Sequence, residues 1–182
     1  REKTAGFRSR FGKVFTLNPE KLETTHHFDP LAVWLAQDPH AAPDIVKFLL
    51  EDQQDRDTFF AAQASYPLLA AIRSATLLQK PVLTHLNDLL YLGVQGFVRT
   101  LQKHQDEEIE RNLSGFLGMT SNEFLMLPNL ETKGPVFSVW QTLLQRMQPF
   151  MRPELLELMS ENDVTLSQLS VPSTLYIQWP EK

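Results

Sequence analysis

The chain has no cysteine, which excludes disulfide cross-links and thiolate chemistry and is compatible with a reducing compartment. Long hydrophobic runs are absent as well. The longest apolar stretch, residues 59–72, is interrupted by Gln63, Ser65 and Pro67 and is too short to cross a bilayer. No signal-peptide pattern is visible. Apart from these gaps the composition is that of a globular domain, 42% hydrophobic and 21% charged over 182 residues, long enough for one domain with a substantial core.

Recognisable catalytic patterns are also missing. No G-x-S-x-G or other nucleophile signature occurs. Gly6 with Gly12-Lys13 invites comparison with a phosphate-cradling G-x-x-x-x-G-K-[ST] loop. The spacing is one residue too long, and Val14 stands where a magnesium-binding hydroxyl is required, so the reading as a nucleotide site is rejected. His26-His27 with Asp29 has no H-x-x-x-H or cysteine companion, which favours a capping or packing role over a metal. His40, His85 and His104 are isolated in the sequence. The expectation is that these residues are not an enzyme by themselves and hold no metal, cofactor or catalytic residue.

Charge is unevenly spread. Residues 1–21 carry +4, from Arg1, Lys3, Arg8, Arg10, Lys13 and Lys21 against Glu2 and Glu20, and residues 22–182 carry −9. An acidic body is a poor binder of phosphate backbones and a plausible receptor for basic peptides. Two acidic runs, Glu51, Asp52, Asp55, Asp57 and Asp106, Glu107, Glu108, Glu110, read either as solvated surface or as a docking surface for a positively charged partner. Arg8, Arg10 and Lys13 read either as a solvated turn or as contacts to a neighbouring domain, a subunit or DNA.

The elements follow from periodicity and punctuation. Residues 1–10 read as the end of a helix, broken by Gly12 before a strand, Lys13 to Leu17. Asp29-Pro30 opens a short helix, Leu31 to Gln37, expected to bury Leu31, Trp34 and Leu35. Pro43-Asp44 starts the next, with Ile45, Phe48 and Leu49 on one face. After the linker Glu51 to Asp57, with Asp57 as a cap, an alanine-rich apolar segment from Thr58 to Gln79 reads as a central buried helix, kinked or split near Tyr66 by Pro67. Thr84 with Asn87-Asp88 resembles a helix start, and Gly93 and Gly96 make two helices as plausible as one between there and Leu101. Another helix is predicted from Asp106 to Leu117, and Ser121 with Asn122 caps a short turn to Leu127. Val136, Val139, Trp140, Leu143, Leu144 and Met147, spaced by three and four, mark the clearest amphipathic helix. Pro153-Glu154 opens the last, carrying Leu155, Leu156, Leu158 and Met159. Trp34, Phe137 and Trp140 are read as core.

Short β-branched and aromatic runs stand at both ends, Val14 to Leu17 and Thr174 to Trp179, each closed by a proline. The chain is therefore expected to leave a sheet, build a helical body and return, which is the outline of an inserted domain. Its start at Arg1 and its stop just past a strand-like run read as a piece of a larger protein.

The two ends also carry a resemblance. Thr4-Ala5-Gly6-Phe7-Arg8-Ser9-Arg10, Gly12-Lys13-Val14-Phe15 with Asn18-Pro19, and His27-Phe28-Asp29-Pro30-Leu31 come in an order similar to that of the type IV coupling proteins, the TraG/TraD-like ATPases of conjugation and type IV secretion. Asn162 to Leu169, Pro172 to Ile177 and Pro180 resemble the family's return to the sheet, and Lys133 to Trp140 the helix before it. Residues 39–130 match only in texture, and His26 and Phe28 depart from the family's commoner histidine and asparagine. The resemblance implies an all-α, multi-helix domain inserted in a nucleotide-binding domain, with short strand remnants at both termini. It would divide as an edge segment of the host domain (1–19), the all-α domain (20–170) and the return strand (171–182). It further implies a homohexameric parent ATPase at the cytoplasmic face of the bacterial inner membrane, using ATP and magnesium held outside these residues. The helical domain would recognise secreted effector proteins or relaxase C-terminal signals beside other secretion-system subunits, and deliver them to the channel. Two alternatives stay open, a DNA-contacting module and a structural or assembly domain of the hexamer.

Overall fold

The β-branched and aromatic runs near the two ends do form strands, β1 (Lys13–Leu17) and β2 (Ser173–Ile177). They pair in parallel, from Lys13 opposite Ser173 to Leu17 opposite Ile177. Parallel neighbours cannot be joined by a tight turn and need a crossover; here the crossover is everything between Leu17 and Ser173. The computed structural model describes residues 7–51, 58–127, 134–169 and 172–178. It is all-α apart from these two strands, and its chain divides into two compact units, Arg1–Pro30 with Arg152–Lys182, and Leu31–Met151. The expected cap at Asp57 and the start of the expected first helix lie outside the described residues.

The strand-bearing unit is closed by side chains that reach backbone. A Cβ on Gly12 would stand 1.9 Å from the Pro172 carbonyl oxygen, so only glycine lets β1 begin this close to β2. On the other edge of β1, His26 N donates to Thr16 O at 2.8 Å and Thr16 N donates to His26 Nδ1 at 3.2 Å. The segment that follows is pinned to the one leaving the short helix α9 (Pro153–Leu158). Phe28 N donates to Leu158 O and Asp163 N to His27 O, both at 2.9 Å. Asp163 Oδ2 accepts from His27 N at 2.8 Å and lies 2.9 Å from His27 Nδ1, and Asn162 Oδ1 accepts from Asp29 N at 2.7 Å. These bonds hold the Asp163 carboxyl below the usual carboxylate range. The His26 ring thus fastens backbone while the His27 ring meets Asp163, and residues 20–30 and 152–169 cluster with the strands rather than with the helical body.

In the helical unit, α1 (Pro30–Gln37, its first residue in the other unit) and α2 (Ala42–Leu50) lead into α3 (Thr58–Leu78). α3 is the central element. Ala64, Leu68, Ala70, Ala71, Ile72 and Ala75 are at most 1% exposed, and α3 packs against α2, α4 (Val82–Tyr91), α6 (Glu107–Leu117) and α8 (Pro135–Met147). Alanines let neighbouring helices approach closely, and burial at about 25 cal/mol per Å² of apolar surface makes this packing the main stabilising term. α5 (Gly93–Gln102) and α7 (Ser121–Met126) complete the unit with a 3-10 turn, Gln148–Phe150. Phe97 and Phe116 rings flank Trp140 with centroids 5.2 and 6.2 Å away.

Several expectations are corrected. Of the kink or split expected at Pro67 the split does not occur: the helix runs unbroken from Thr58 to Leu78, since Pro67 removes one donor from a helix whose flanks are buried on several neighbours, and packing outweighs the loss. Trp34 and Phe48 are 39% and 55% exposed, because the buried stripes run through Leu31 and Leu35 and through Ile45, Val46, Leu49 and Leu50. α4 begins at Val82, before the predicted start at Thr84. Of the one-helix and two-helix alternatives there, the second holds: α4 ends at Tyr91 and α5 starts at Gly93, whose φ of 70° favours glycine. α7 is capped by Thr120 and not by Ser121 or Asn122.

Candidate functional site

The acidic run at 106–110 lies where the end of α5 and the starts of α6 and α7 converge on a cleft of about 590 Å³. Arg99, Gln102 and Lys103 line it from one side, Glu107 and Glu110 from another, and Thr120 and Asn122 from the third. Gln102 Nε2 donates to Asn122 Oδ1 across the gap.

Each acid of the run has a different fate. Asp106 is the N-cap of α6: its Oδ1 accepts from Glu108 N at 3.1 Å and Ile109 N at 3.0 Å. Its Oδ2 accepts from Arg73 on α3, at 3.2 Å from Nε and 2.9 Å from Nη2. The guanidinium is the largest influence on the Asp106 carboxyl, holding it below the usual carboxylate range, and Asp106 in turn raises Arg73. Glu108 joins the same arginine at 3.4 Å. Glu110 turns inward and accepts from Ser121 N at 3.1 Å and from the Ser121 hydroxyl, anchoring α7 to α6. Ser121 is fully buried, so this carboxylate satisfies a polar group that has lost water. Next to it, Thr120 and Glu123 form a capping box: Glu123 N donates to Thr120 Oγ1 at 3.2 Å and Thr120 N to Glu123 Oε2 at 2.9 Å. The two hydrogen bonds from Thr120 hold the Glu123 carboxyl low.

Glu107 alone of the four has no such partner among the described residues, and it is exposed at the cleft. The cleft's unengaged charges are therefore Glu107 with Arg99 and Lys103, a mixed set. In the other acidic run Glu51 is exposed, and Asp52, Asp55 and Asp57 lie outside the described residues. The structure does not bring Glu51 to this cleft.

Arg8, Arg10 and Lys13 are all exposed, in the turn that precedes β1 and at its first residue. Phe7 and Phe11, 56% and 65% exposed, stand among them with ring centroids 5.2 Å apart. This turn is a basic and aromatic patch, and only its basic half was singled out from the sequence.

Two features of the helical unit carry no local sequence signal. Arg73, the partner of Asp106, is one. The other is a buried cluster: Ser74 Oγ lies 2.9 Å from His85 Nε2 and 2.9 Å from His104 Nε2. The two histidines, isolated along the chain, meet on one hydroxyl. Burial pushes the His85 imidazole down to about 4, with Lys80 and His104 lowering it further and Asp88 opposing. Among the described residues no cluster of three or more His, Asp or Glu side chains could hold a metal, and no helix is long and apolar enough to cross a membrane. No family model matches the chain, and no curated protein matches it.

Proposed function

We propose that the helical unit is the cargo-recognition part of a type IV secretion coupling ATPase, binding effector or relaxase signals and delivering them to the secretion channel. The observation that supports this reading most is the parallel pairing of β1 with β2, which stand on either side of the helical unit in the sequence. An insertion that leaves and re-enters a parallel sheet on neighbouring strands has this form, since parallel strands demand a long crossover. The segments that resemble the coupling proteins, Gly12 to Phe15, His27 to Leu31 and Pro172 to Ile177, are the ones forming and bracing this stem. On this reading ATP, magnesium and the catalytic residues belong to the parent homohexamer, at the cytoplasmic face of a bacterial inner membrane. No catalytic role falls to the residues described above.

Asp106, Glu108 and Glu110 are occupied in capping and cross-linking helices, so among the described residues of the two acidic runs Glu107 and Glu51 are the acids left to meet a basic cargo peptide. Fluorescence anisotropy of a labelled cargo tail against the chain tests this. Glu107→Lys with Glu51→Lys is expected to weaken binding at least several-fold and to flatten its salt dependence. Unchanged affinity in the double variant removes these acids from the receptor surface.

A second reading, contact with DNA in a conjugative translocase, is favoured by the exposed Arg8, Arg10 and Lys13 around the Phe7 and Phe11 rings, since cations with stacking aromatics suit single strands. It predicts oligonucleotide affinity that falls steeply with salt and is lost on Arg8→Ala with Arg10→Ala.

A further inference from the structure

The Ser74 hydroxyl stands between two imidazoles and has one hydrogen to give. Its oxygen is 2.9 Å from Nε2 of His85 on α4 and 2.9 Å from Nε2 of His104, in the turn after α5. It can donate to only one of them and must accept from the other. Ser74 is fully buried, His85 is 4% exposed, and the remaining ring nitrogen of His85, Nδ1, is buried with no hydrogen-bond partner among the described residues. His104 is only half-buried and within reach of water.

Two proton arrangements make both bonds with His85 neutral and also use the hydroxyl hydrogen; a third, in which both rings donate to Ser74 Oγ, leaves that hydrogen without an acceptor among the described residues as well as a bare His85 Nδ1. In the first, Ser74 donates to a bare His104 Nε2 and accepts from His85 Nε2–H, leaving a lone pair at His85 Nδ1. In the second, His104 Nε2–H donates to Ser74, and the hydroxyl turns to donate to a bare His85 Nε2, whose single proton then sits on Nδ1. A doubly protonated His104 excludes the first and favours the second over the third, since the second leaves one buried polar atom unpaired and the third leaves two. With His104 neutral the first is preferred, because it leaves a buried acceptor and not a buried N–H without a partner.

We propose that Ser74 is a proton-coupled relay through which the charge state of His104 sets the tautomer of the buried His85. When His104 takes up a proton from solvent, one proton enters the cluster. His85 keeps one proton throughout, but it moves from Nε2 to Nδ1 as the serine hydroxyl reverses. The change places an unpaired N–H inside the packing of α3 and α4, so a surface protonation is felt in the core of the helical unit. The charges acting on His85 besides His104 are Lys80, just after α3, and Asp88 on α4. Lys103 precedes His104 in the chain and Asp106 stands two residues after it, itself held by Arg73 of α3. Neither pair replaces the hydroxyl as a bonded link between the rings.

Long-range ¹H–¹⁵N spectra of histidine-labelled chain report the tautomer of each ring directly. The relay predicts that His85 is Nε2–H at high pH and becomes Nδ1–H in step with the titration of His104. In Ser74→Ala and in His104→Ala, His85 should keep one tautomer over the whole range. His104 is half-buried, so its truncation is the variant to rely on if Ser74→Ala fails to fold. A wild-type His85 that keeps its tautomer while His104 titrates overturns the proposal, as does a switch that persists in either variant.

Discussion

His85 makes stability depend on pH between its ordinary and its buried value. Its imidazole, ordinarily near 6.5, is pushed down to about 4 by burial, so between these values the unfolded chain binds a proton that the folded chain refuses. Stability contributed by neutral His85 is thus fully present above the unfolded value and declines as pH falls from about 6.5 towards about 4. The whole difference corresponds to about 3 kcal/mol, and about 2 kcal/mol of it is lost by pH 5. Urea unfolding at pH 7 and pH 5, followed by fluorescence of the buried Trp140, measures the loss. His85→Gln offers an amide to Ser74 but cannot titrate, so its stability should change far less between the two pH values. The comparison is between slopes, so a uniform destabilisation of the variant does not disturb it. Equal losses in the wild type and in His85→Gln would refute the reasoning.

Three further outcomes are expected. Gly12→Ala drives a methyl into the Pro172 carbonyl and should unpair the start of β1 from β2, seen as lost amide protection at residues 13–17 with the helical unit still protected. Asp106→Ala removes the cap of α6 and its bond to Arg73, costing about 1–2 kcal/mol in urea unfolding, whereas Glu107→Ala should change stability by less than about 0.5 kcal/mol. The contributions of Asp106 and Asp163, both held low, are present above a pH of about 4 and lost as pH falls below it, so Asp163→Asn should flatten the acid limb of the unfolding curve.

The parts of this architecture that could be read from the sequence are those whose signals are local. The three- and four-residue spacing of Val139, Trp140, Leu143 and Met147 marks α8, and all four are buried. Asp106 ahead of three acids marks the start of α6, because the cap acts within one turn. The two strand runs were legible from their β-branched and aromatic content. Trp34 and Phe48 were misassigned because hydrophobicity alone does not say which side of a short helix faces its neighbours. The split at Pro67 does not occur because the packing that holds α3 together comes from helices distant in sequence. The acidic run was visible as charge, yet its partners Arg73 and Ser121 lie 33 and 11 residues away, so nothing local showed that Asp106 and Glu110 were already engaged. Ser74, His85 and His104, on three separate elements, follow no period and could be joined only by the fold.

The receptor claim is tested most directly by an NMR titration of the ¹⁵N-labelled chain at physiological salt, once with a basic cargo C-terminal tail and once with a short oligonucleotide. A receptor predicts saturable shifts with the tail alone, confined to the helical unit and including Glu107 and the cleft formed by α5, α6 and α7. Silence with the tail, or shifts with the oligonucleotide alone at residues 7–13, would contradict it.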